Sequence, residues 1–421
     1  MQNTILGELN NENISIPDQY TPLEYLNELW ESGMGEYIVP SGESSFDLLK
    51  TQSMKGLNRK YVGFTDEIRE KWKYELDKIN SCKMIGYYLI LWDLVSYARL
   101  INIEMSPGCG AIPGSLVAYS LGITDVDPLK YNLLIDRFLS PNQRYQVGCR
   151  IELEIGGSQR LTNYVIEKYG KGMLKLLEEL EITFNDLDEL SIMKETLKKV
   201  VDRAGEIIDI SALNYNDEAI FELINMEGIE DIVPFGEIYN ETFVRGIEIT
   251  SMEDLIARIS LDRPGLEDRC SEYMTNKNNP DNIRYRSQEL KPILEPTYGC
   301  IVYHEQLMQI LSTLAGFSPE QSNLARRAMS KKQAYFELQS DFIKGNIEKN
   351  IPGCIANGIS EELAEKIFDD IWTSAIYGFN KSHAAAYAIL AYRMAWLKRY
   401  HKEEYLSAVE YVKKVKNMGE R

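Results

Sequence analysis

The stretch Arg150-Ile151-Glu152-Leu153-Glu154-Ile155 alternates strictly between polar and apolar residues, the period-two pattern of a half-buried strand. As a strand it sets Glu152 and Glu154 on one face, roughly 7 Å apart along the backbone. Two carboxylates facing one way can hold a divalent cation. The same pattern also describes an amphipathic strand with a wet acidic face, and the hexapeptide alone leaves both readings open. Most of what surrounds it has helical spacing, so the chain reads as α+β and predominantly helical.

Upstream, Thr21 suits a helix cap and Pro22 the first helical position; Leu23, Leu26 and Trp30 recur at helical spacing until Gly33 and Gly35. A polar linker is expected from there to about Tyr61. Thr65 is the next cap, Asp66 and Glu67 fill a first turn, and Trp72, Leu76 and Ile79 form one apolar stripe. The run Tyr87 to Trp92 is too short to span a bilayer and ends at Asp93. Next, Pro107-Gly108-Cys109-Gly110-Ala111-Ile112-Pro113-Gly114-Ser115 leads into an apolar helical stretch, Leu116 to Leu121. A turn that bares backbone amides at a helix start suits an anion; it also reads as a tight connection.

Downstream of Gly170 the chain is acidic and helical, with Met173, Leu176, Leu177 and Leu180 on one face, and its acids read mostly as solvated helix faces. Short mixed elements follow from Ile210 to Ser260, with turns at Glu227-Gly228 and Pro234-Phe235-Gly236. Thr275 to Asn282 reads as a surface loop, and the rest is mainly helical. No internal repeat is visible. Arg326, Arg327, Lys331 and Lys332 form one basic cluster, and Arg393, Lys398, Arg399, His401 and Lys402 a second. Such clusters neutralise phosphates or simply line a solvated helix face. Ser382 suits the cap of the last long helix, which makes Lys381 and the adjacent amides an anion pocket. Tyr387 and Tyr392 stand at helical spacing and also read as core.

Composition bounds these readings. The 421 residues carry 46 basic against 64 acidic side chains, a net charge of −18, the wrong sign for a protein that coats nucleic acid over its whole surface. Contact with DNA must come from local patches. Six cysteines without a Cys-x-x-Cys pair and three histidines suggest neither zinc nor a disulfide framework and fit a cytoplasmic protein. Met1 to Tyr20 is polar, with no readable signal peptide. No membrane role is expected.

Several ordered blocks resemble the bacterial replicative DNA polymerase III alpha subunit, the C-family polymerases. They are Leu121-Gly122-Ile123-Thr124-Asp125-Val126-Asp127-Pro128-Leu129-Lys130-Tyr131, Tyr298 to Tyr303, Gln306 to Ile310, Ala315 to Ser318, Arg326 to Met329, and Tyr377-Gly378-Phe379-Asn380-Lys381-Ser382-His383-Ala384-Ala385-Ala386-Tyr387. The resemblance covers roughly Tyr25 to Tyr405. It implies a palm remnant of the polymerase beta-like nucleotidyltransferase type plus a helical fingers domain. The expected organisation is a tail over 1–20, a palm-like domain with the thumb deleted over 21–200, and a fingers-like domain over 201–421. The family's PHP, clamp-binding and OB-fold regions find no counterpart, so processivity through a clamp is not expected.

The resemblance also assigns residues. Catalytic and metal-ligating positions fall on Glu152, Glu154 and Asp188, the last by matching Asp188-Glu189-Leu190-Ser191-Ile192 to the family's Asp-Phe-Leu-Gly-Leu, with Asp186 a close competitor. Nucleotide and DNA contacts fall on Gly108, Gly110, Gly114, Ser115, Arg263, Arg326, Arg327, Lys331, Lys332, Asn380, Lys381, Ser382, His383 and Tyr387. The departures are pointed. The family's Pro-Gly-Arg-Gly-Ser reads Pro107-Gly108-Cys109-Gly110-Ala111 here, and a thiol does not replace the fixed fork of an arginine. Its Asp-x-Asp is Glu152 and Glu154, with Arg150 where a further aspartate stands. One extra methylene moves a carboxylate by roughly 1 Å, enough to cost about a hundredfold in rate. The expectation is a pseudo-polymerase that binds DNA and deoxynucleoside triphosphates in DNA replication, with impaired catalysis. The alternatives are an active minimal polymerase or nucleotidyltransferase using Glu152, Glu154 and Asp188 with Mg2+ or Mn2+, and an interaction protein that mimics the replicase toward a replisome partner.

Overall fold

A computed structural model of the chain describes Leu26 and residues 43–140, 148–227 and 242–419. Most of the helix read at Thr21 to Gly35 lies outside these residues, though Leu26 is helical and buried. The turn at Pro234-Phe235-Gly236 and Gly228 lie outside them too. In chain order the elements are α1 (Ser45–Lys60), α2 (Asp66–Ser81), α3 (Ile85–Leu100), α4 (Leu116–Leu121), β1 (Cys149–Leu153), α5 (Gly157–Tyr169), α6 (Gly172–Glu179), β2 (Ile182–Asp186) and α7 (Asp188–Ala204). They continue with α8 (Glu218–Glu227), α9 (Met252–Leu261), α10 (Glu267–Asn278), α11 (Lys291–Leu294), α12 (His304–Ala315), α13 (Pro319–Ser330), α14 (Tyr335–Lys344), α15 (Glu361–Ala375), α16 (Lys381–Tyr400) and α17 (Lys402–Gly419). Strands β1 and β2 pair in parallel, Cys149 opposite Ile182 and Leu153 opposite Asp186. The fold is predominantly helical with this small sheet, in keeping with α+β. No helix of the described residues is long and apolar enough to cross a membrane.

The chain divides into two compact units, one formed by residues up to Leu213 together with those from Trp396 onward, the other by Asn214 to Ala395. In the first unit, α2 forms as its sequence predicts. Thr65 accepts from the Ile68 amide at 3.4 Å, and Trp72, Leu76 and Ile79 are buried. The stretch expected to be a polar linker is instead largely helix α1, capped by Ser44. Its inner face carries Ser53 and Gly56 between Leu49 and Leu57, so small residues hide the apolar stripe. They are small because α4 lies against them: a Cβ at position 56 would sit 1.7 Å from the Ser120 carbonyl oxygen. Ser53 also accepts from the Trp72 indole at 3.0 Å. The apolar run before Asp93 is the buried helix α3. Asp93 accepts from Tyr164 Oη (2.8 Å), Tyr169 Oη (2.7 Å) and Lys168 Nζ (2.7 Å), tying α3 to α5. The final helix packs along α7, with Arg203 bonded to Glu403 (2.7 Å) and Glu404 (2.6 Å).

The second unit is built on Leu307, Leu311, Phe342, Phe368 and Ile371. Two of its features differ from the sequence reading. Thr275 to Asn278 belongs to α10, because Lys277 pairs with buried Asp254 at 2.6 Å and Asn276 donates to the Tyr298 carbonyl at 2.8 Å. These tertiary contacts outweigh a loop-prone composition. Arg393 does not stand on a solvated basic face: it is 2% exposed and its Nε donates to Tyr215 Oη at 3.2 Å. Tyr392 is fully buried, donating to the Asn214 carbonyl at 2.9 Å.

The Asp93 node is testable. Asp93→Ala strands three donors and should destabilise the protein by about 2–3 kcal/mol in urea unfolding followed by circular dichroism. An unchanged midpoint would mean that water satisfies all three donors equally well.

Candidate functional site

Strand β1 ends at Leu153, and Glu154 enters a turn. The cause is Asp186, at the end of β2, whose carboxylate accepts from the amides of Gly156 (2.6 Å) and Ser158 (2.8 Å). An anion at the start of α5 is favoured by its free amides and dipole, and holding it there bends the chain away from the strand. The expected alternation therefore stops one residue before Glu154, and the two glutamates do not share a face. Glu152 lines a small cleft of about 30 Å³ with Gly108, Cys109, Thr124 and Arg150. Glu154 lines a different cavity, about 640 Å³, with Ser191, Lys194, Lys198 and Tyr411.

Each carboxylate faces a cation of the protein itself. Glu152 is 2% exposed, with Arg150 Nε at 3.6 Å. Glu154 is bonded by Arg160 and, at 2.8 Å, by Lys194. Asp188 opens α7 and pairs with Lys416 at 2.8 Å. The acid beside Asp188 is Glu189, which is buried. Burial raises its carboxyl above the ordinary range, and the charges of Asp188 and Glu152 push the same way. Among the described residues no three histidine, cysteine or acidic side chains converge as a metal-holding set. Glu152, Glu154 and Asp188 do not fit a shared pair of cations in this geometry. Cys109 stands beside Arg150 and Glu152; burial first, then Glu152, pushes its thiol up to about 12, so it is no thiolate at neutral pH.

The glycine-rich turn has its own anion. Ser115 caps α4, accepting from the Ala118 amide at 3.1 Å. Its hydroxyl donates to Glu75 at 2.9 Å, and the same Glu75 oxygen accepts from the Val117 amide at 3.1 Å. A buried carboxylate thus takes the place a phosphate would occupy at the start of α4. The turn is also tightly packed: Gly108 adopts φ +148°, and a Cβ there would lie 2.6 Å from Thr124 Oγ1. A Cβ on Gly114 would lie 3.1 Å from the Leu134 carbonyl oxygen, and Gly110 has φ +69° with only the Gly148 carbonyl, at 3.8 Å, in ordinary contact. Glu75 follows Trp72 by three residues, on the apolar stripe of α2. An acid at such a position signals a buried partner.

In the second unit, Arg263 donates to the Tyr377 carbonyl and lies 4.8 Å from the Phe379 ring centre. His383 stands 5.9 Å from Phe379 and 4.6 Å from Tyr387, so Arg263, Phe379, His383 and Tyr387 form one group. Lys381 is buried, bonded to Glu253 at 3.0 Å and 5.1 Å above the Tyr303 ring. Asn380, not Ser382, holds the capping position: its carbonyl accepts from the Ala384 amide at 3.1 Å, and Ser382 donates to its side chain at 2.6 Å. Arg326 is 8% exposed and donates to Asn323 at 2.6 Å. Arg327 is half-buried, whereas Lys331 and Lys332 are exposed.

Burial raises the Glu75 carboxyl above its ordinary 4.5. The native state therefore holds this proton more tightly than the unfolded chain, and the stability owed to this group rises as pH falls through its raised pKa toward the ordinary 4.5. Glu75→Gln removes that dependence. Urea unfolding at pH 7 and pH 5 should show the variant losing ground to wild type at pH 5; a pH-independent difference would refute it.

The family described as bacterial DNA polymerase III alpha NTPase domain matches residues 47–230, and the one described as bacterial DNA polymerase III alpha subunit finger domain matches residues 189–350. Among curated proteins, DNA polymerase III subunit alpha of Borreliella burgdorferi is 28% identical over 512 aligned positions, covering 93% of this chain and 42% of the relative. The same subunit of Staphylococcus aureus is 28% identical over 485 positions, covering 87% and 45%. The chain spans less than half the length of these relatives, and each alignment leaves more than a hundred positions of the relative without a counterpart inside the matched span. The two domain matches together run from residue 47 to 350, and relatives of one name extend the similarity further: over most of its length the chain is similar to bacterial DNA polymerase III alpha subunits.

Proposed function

We propose that this chain is a pseudo-polymerase of the polymerase III alpha type, associated with DNA replication. On this reading the first unit is a palm remnant without a thumb that has lost efficient templated synthesis, and the second is a fingers-type unit that binds DNA and deoxynucleoside triphosphates. One observation carries the reading. The three carboxylates at the catalytic positions each face a cation of the protein, and Glu152 and Glu154 open into separate cavities. Phosphoryl transfer needs carboxylates that converge where the attacking oxygen and the leaving pyrophosphate meet. Arg150 and Cys109 add to the argument, since the cleft beside Glu152 has a guanidinium among its acids and a thiol on its glycine-rich turn.

For binding, the support lies in the second unit. Arg263 against Phe379, with His383 and Tyr387 beside it, offers a guanidinium and aromatic faces together, a combination suited to a stacked base next to a phosphate. Lys331 and Lys332 add exposed positive charge. The net charge of −18 repels nucleic acid elsewhere, so binding should be local and strongly dependent on salt.

Primer extension on a short primed template with four nucleotides, in Mg2+ and separately in Mn2+, should give no product. Extension that is lost in Glu152→Ala/Glu154→Ala would overturn the reading and assign catalysis to the glutamates. Fluorescence anisotropy with the same template should give an affinity that falls steeply with salt, and Lys331→Ala/Lys332→Ala should reduce the log–log slope by about 2. Absent or salt-independent binding would point instead to a protein that engages a replisome partner through a polymerase-like surface.

A further inference from the structure

The second unit holds a polar cavity of about 440 Å³ that none of the candidate residues above lines. Its floor is apolar and formed by core side chains, among them Ile310, Ile367 and Ile371. Its rim carries three arginines, Arg269, Arg284 and Arg286, with Tyr285 between the last two. Two of the arginines are held by carboxylates. Arg286 grips Asp370 through both Nε and Nη2, the latter at 3.0 Å. Arg269 reaches Glu272 at 3.1 Å through Nη1 and Ser374 Oγ at 3.3 Å through Nη2.

Arg284 differs. Its hydrogen bonds run from Nη1 alone, to the Asp281 carbonyl at 2.7 Å and the Ile283 carbonyl at 3.2 Å. A guanidinium carries five N–H donors in a fixed fork, so Nε and Nη2 of Arg284 make no bond to the described residues. Among the described residues no carboxylate pairs with it. Three guanidinium groups against Glu272 and Asp370 leave one net positive charge at the mouth of a concave site, in a chain that is otherwise strongly acidic. The volume falls within the range of small-ligand sites. An anion that presents two oxygens side by side, as a phosphate does, matches the open edge of the fork, and the apolar floor with Tyr285 suits a flat ring beside it.

We infer that this cavity is a phosphate-recognition site, distinct from the group around Arg263, that takes a ligand bearing a phosphate next to a base. Arg284 engages the phosphate, and the pairs Arg286–Asp370 and Arg269–Glu272 hold the rim in shape around it. A free nucleotide and the 5′-phosphorylated end of a single strand share this chemistry.

Isothermal titration of the full chain separates the outcomes. Inorganic pyrophosphate should bind with an affinity that Arg284→Ala weakens roughly tenfold, the worth of a charge-assisted contact, and Arg284→Glu weakens further. Lys331→Ala/Lys332→Ala should leave it unchanged. The same Arg284 dependence for dTTP assigns a free nucleotide; a preference for 5′-phosphorylated over unphosphorylated dT10 that vanishes in Arg284→Glu assigns a strand end. Arg284 holds only its own loop, so the variants should fold, which circular dichroism checks. The inference falls if pyrophosphate does not bind, or if wild type and Arg284→Glu bind all probes alike. Because DNA binding in the preceding reading is read out through Lys331 and Lys332, the two can fail independently.

Discussion

Two hydrogen bonds from the amides of Gly156 and Ser158 to the carboxylate of Asp186 govern the shape of the first unit. They satisfy donors that the start of α5 leaves open, they close the end of the parallel pair, and they fix the residue at which β1 stops. Everything acidic in the neighbourhood is arranged as a consequence. With the strand ended at Leu153, Glu152 stays inside beside Arg150 while Glu154 turns toward Arg160 and Lys194. Asp188, two residues beyond the anchoring carboxylate, starts α7 and meets Lys416. Of the two candidates for the third acid of the family, Asp186 accepts from backbone amides with both oxygens, whereas Asp188 meets a lysine side chain.

Much of the architecture could be read from residues with local causes. Thr65 and the Trp72, Leu76 and Ile79 stripe define α2 because cap and periodicity act within a few residues. Helix α4 after the glycine-rich turn and the Met173 to Leu180 face were legible for the same reason. What escaped depends on distant partners. Helix α1 was hidden because its contact face is made of serine and glycine, whose smallness makes sense only when Ser120 is known to press against Gly56. The end of β1 depends on a carboxylate about thirty residues downstream. Thr275 to Asn278 reads as loop because the run to Asn282 is rich in asparagine and includes Pro280, yet Asp254 and the Tyr298 carbonyl hold these residues in a helix.

The candidate site divides along the same line. Residue types were visible: acids on a strand, basic clusters, an amide-rich turn. Whether they converge was not, because convergence is decided by which cations and amides meet them in space. Glu75 fills the turn, Lys194 and Arg160 take Glu154, and Arg393 is spent inside the second unit. Glu189, within the stretch matched to the family's Asp-Phe-Leu-Gly-Leu, and Glu75, on an apolar stripe, are acids among core positions, and that placement is the signal in the sequence for a buried role.

The first unit is discontinuous in the chain, and this sets its order of assembly. Arg203 must wait for Glu404 and Asp188 for Lys416, pairs about two hundred residues apart, with the whole of Asn214 to Ala395 synthesised between them. At translation rates of roughly 5–20 residues per second, α7 leaves the ribosome some tens of seconds or less before the helix that packs along it, so the flank that meets α17 stays uncovered in the interval. The second unit, contiguous in sequence, can close while that flank waits. On a growing chain the later-encoded unit can therefore be complete first, and the earlier one is sealed only once α17 has emerged.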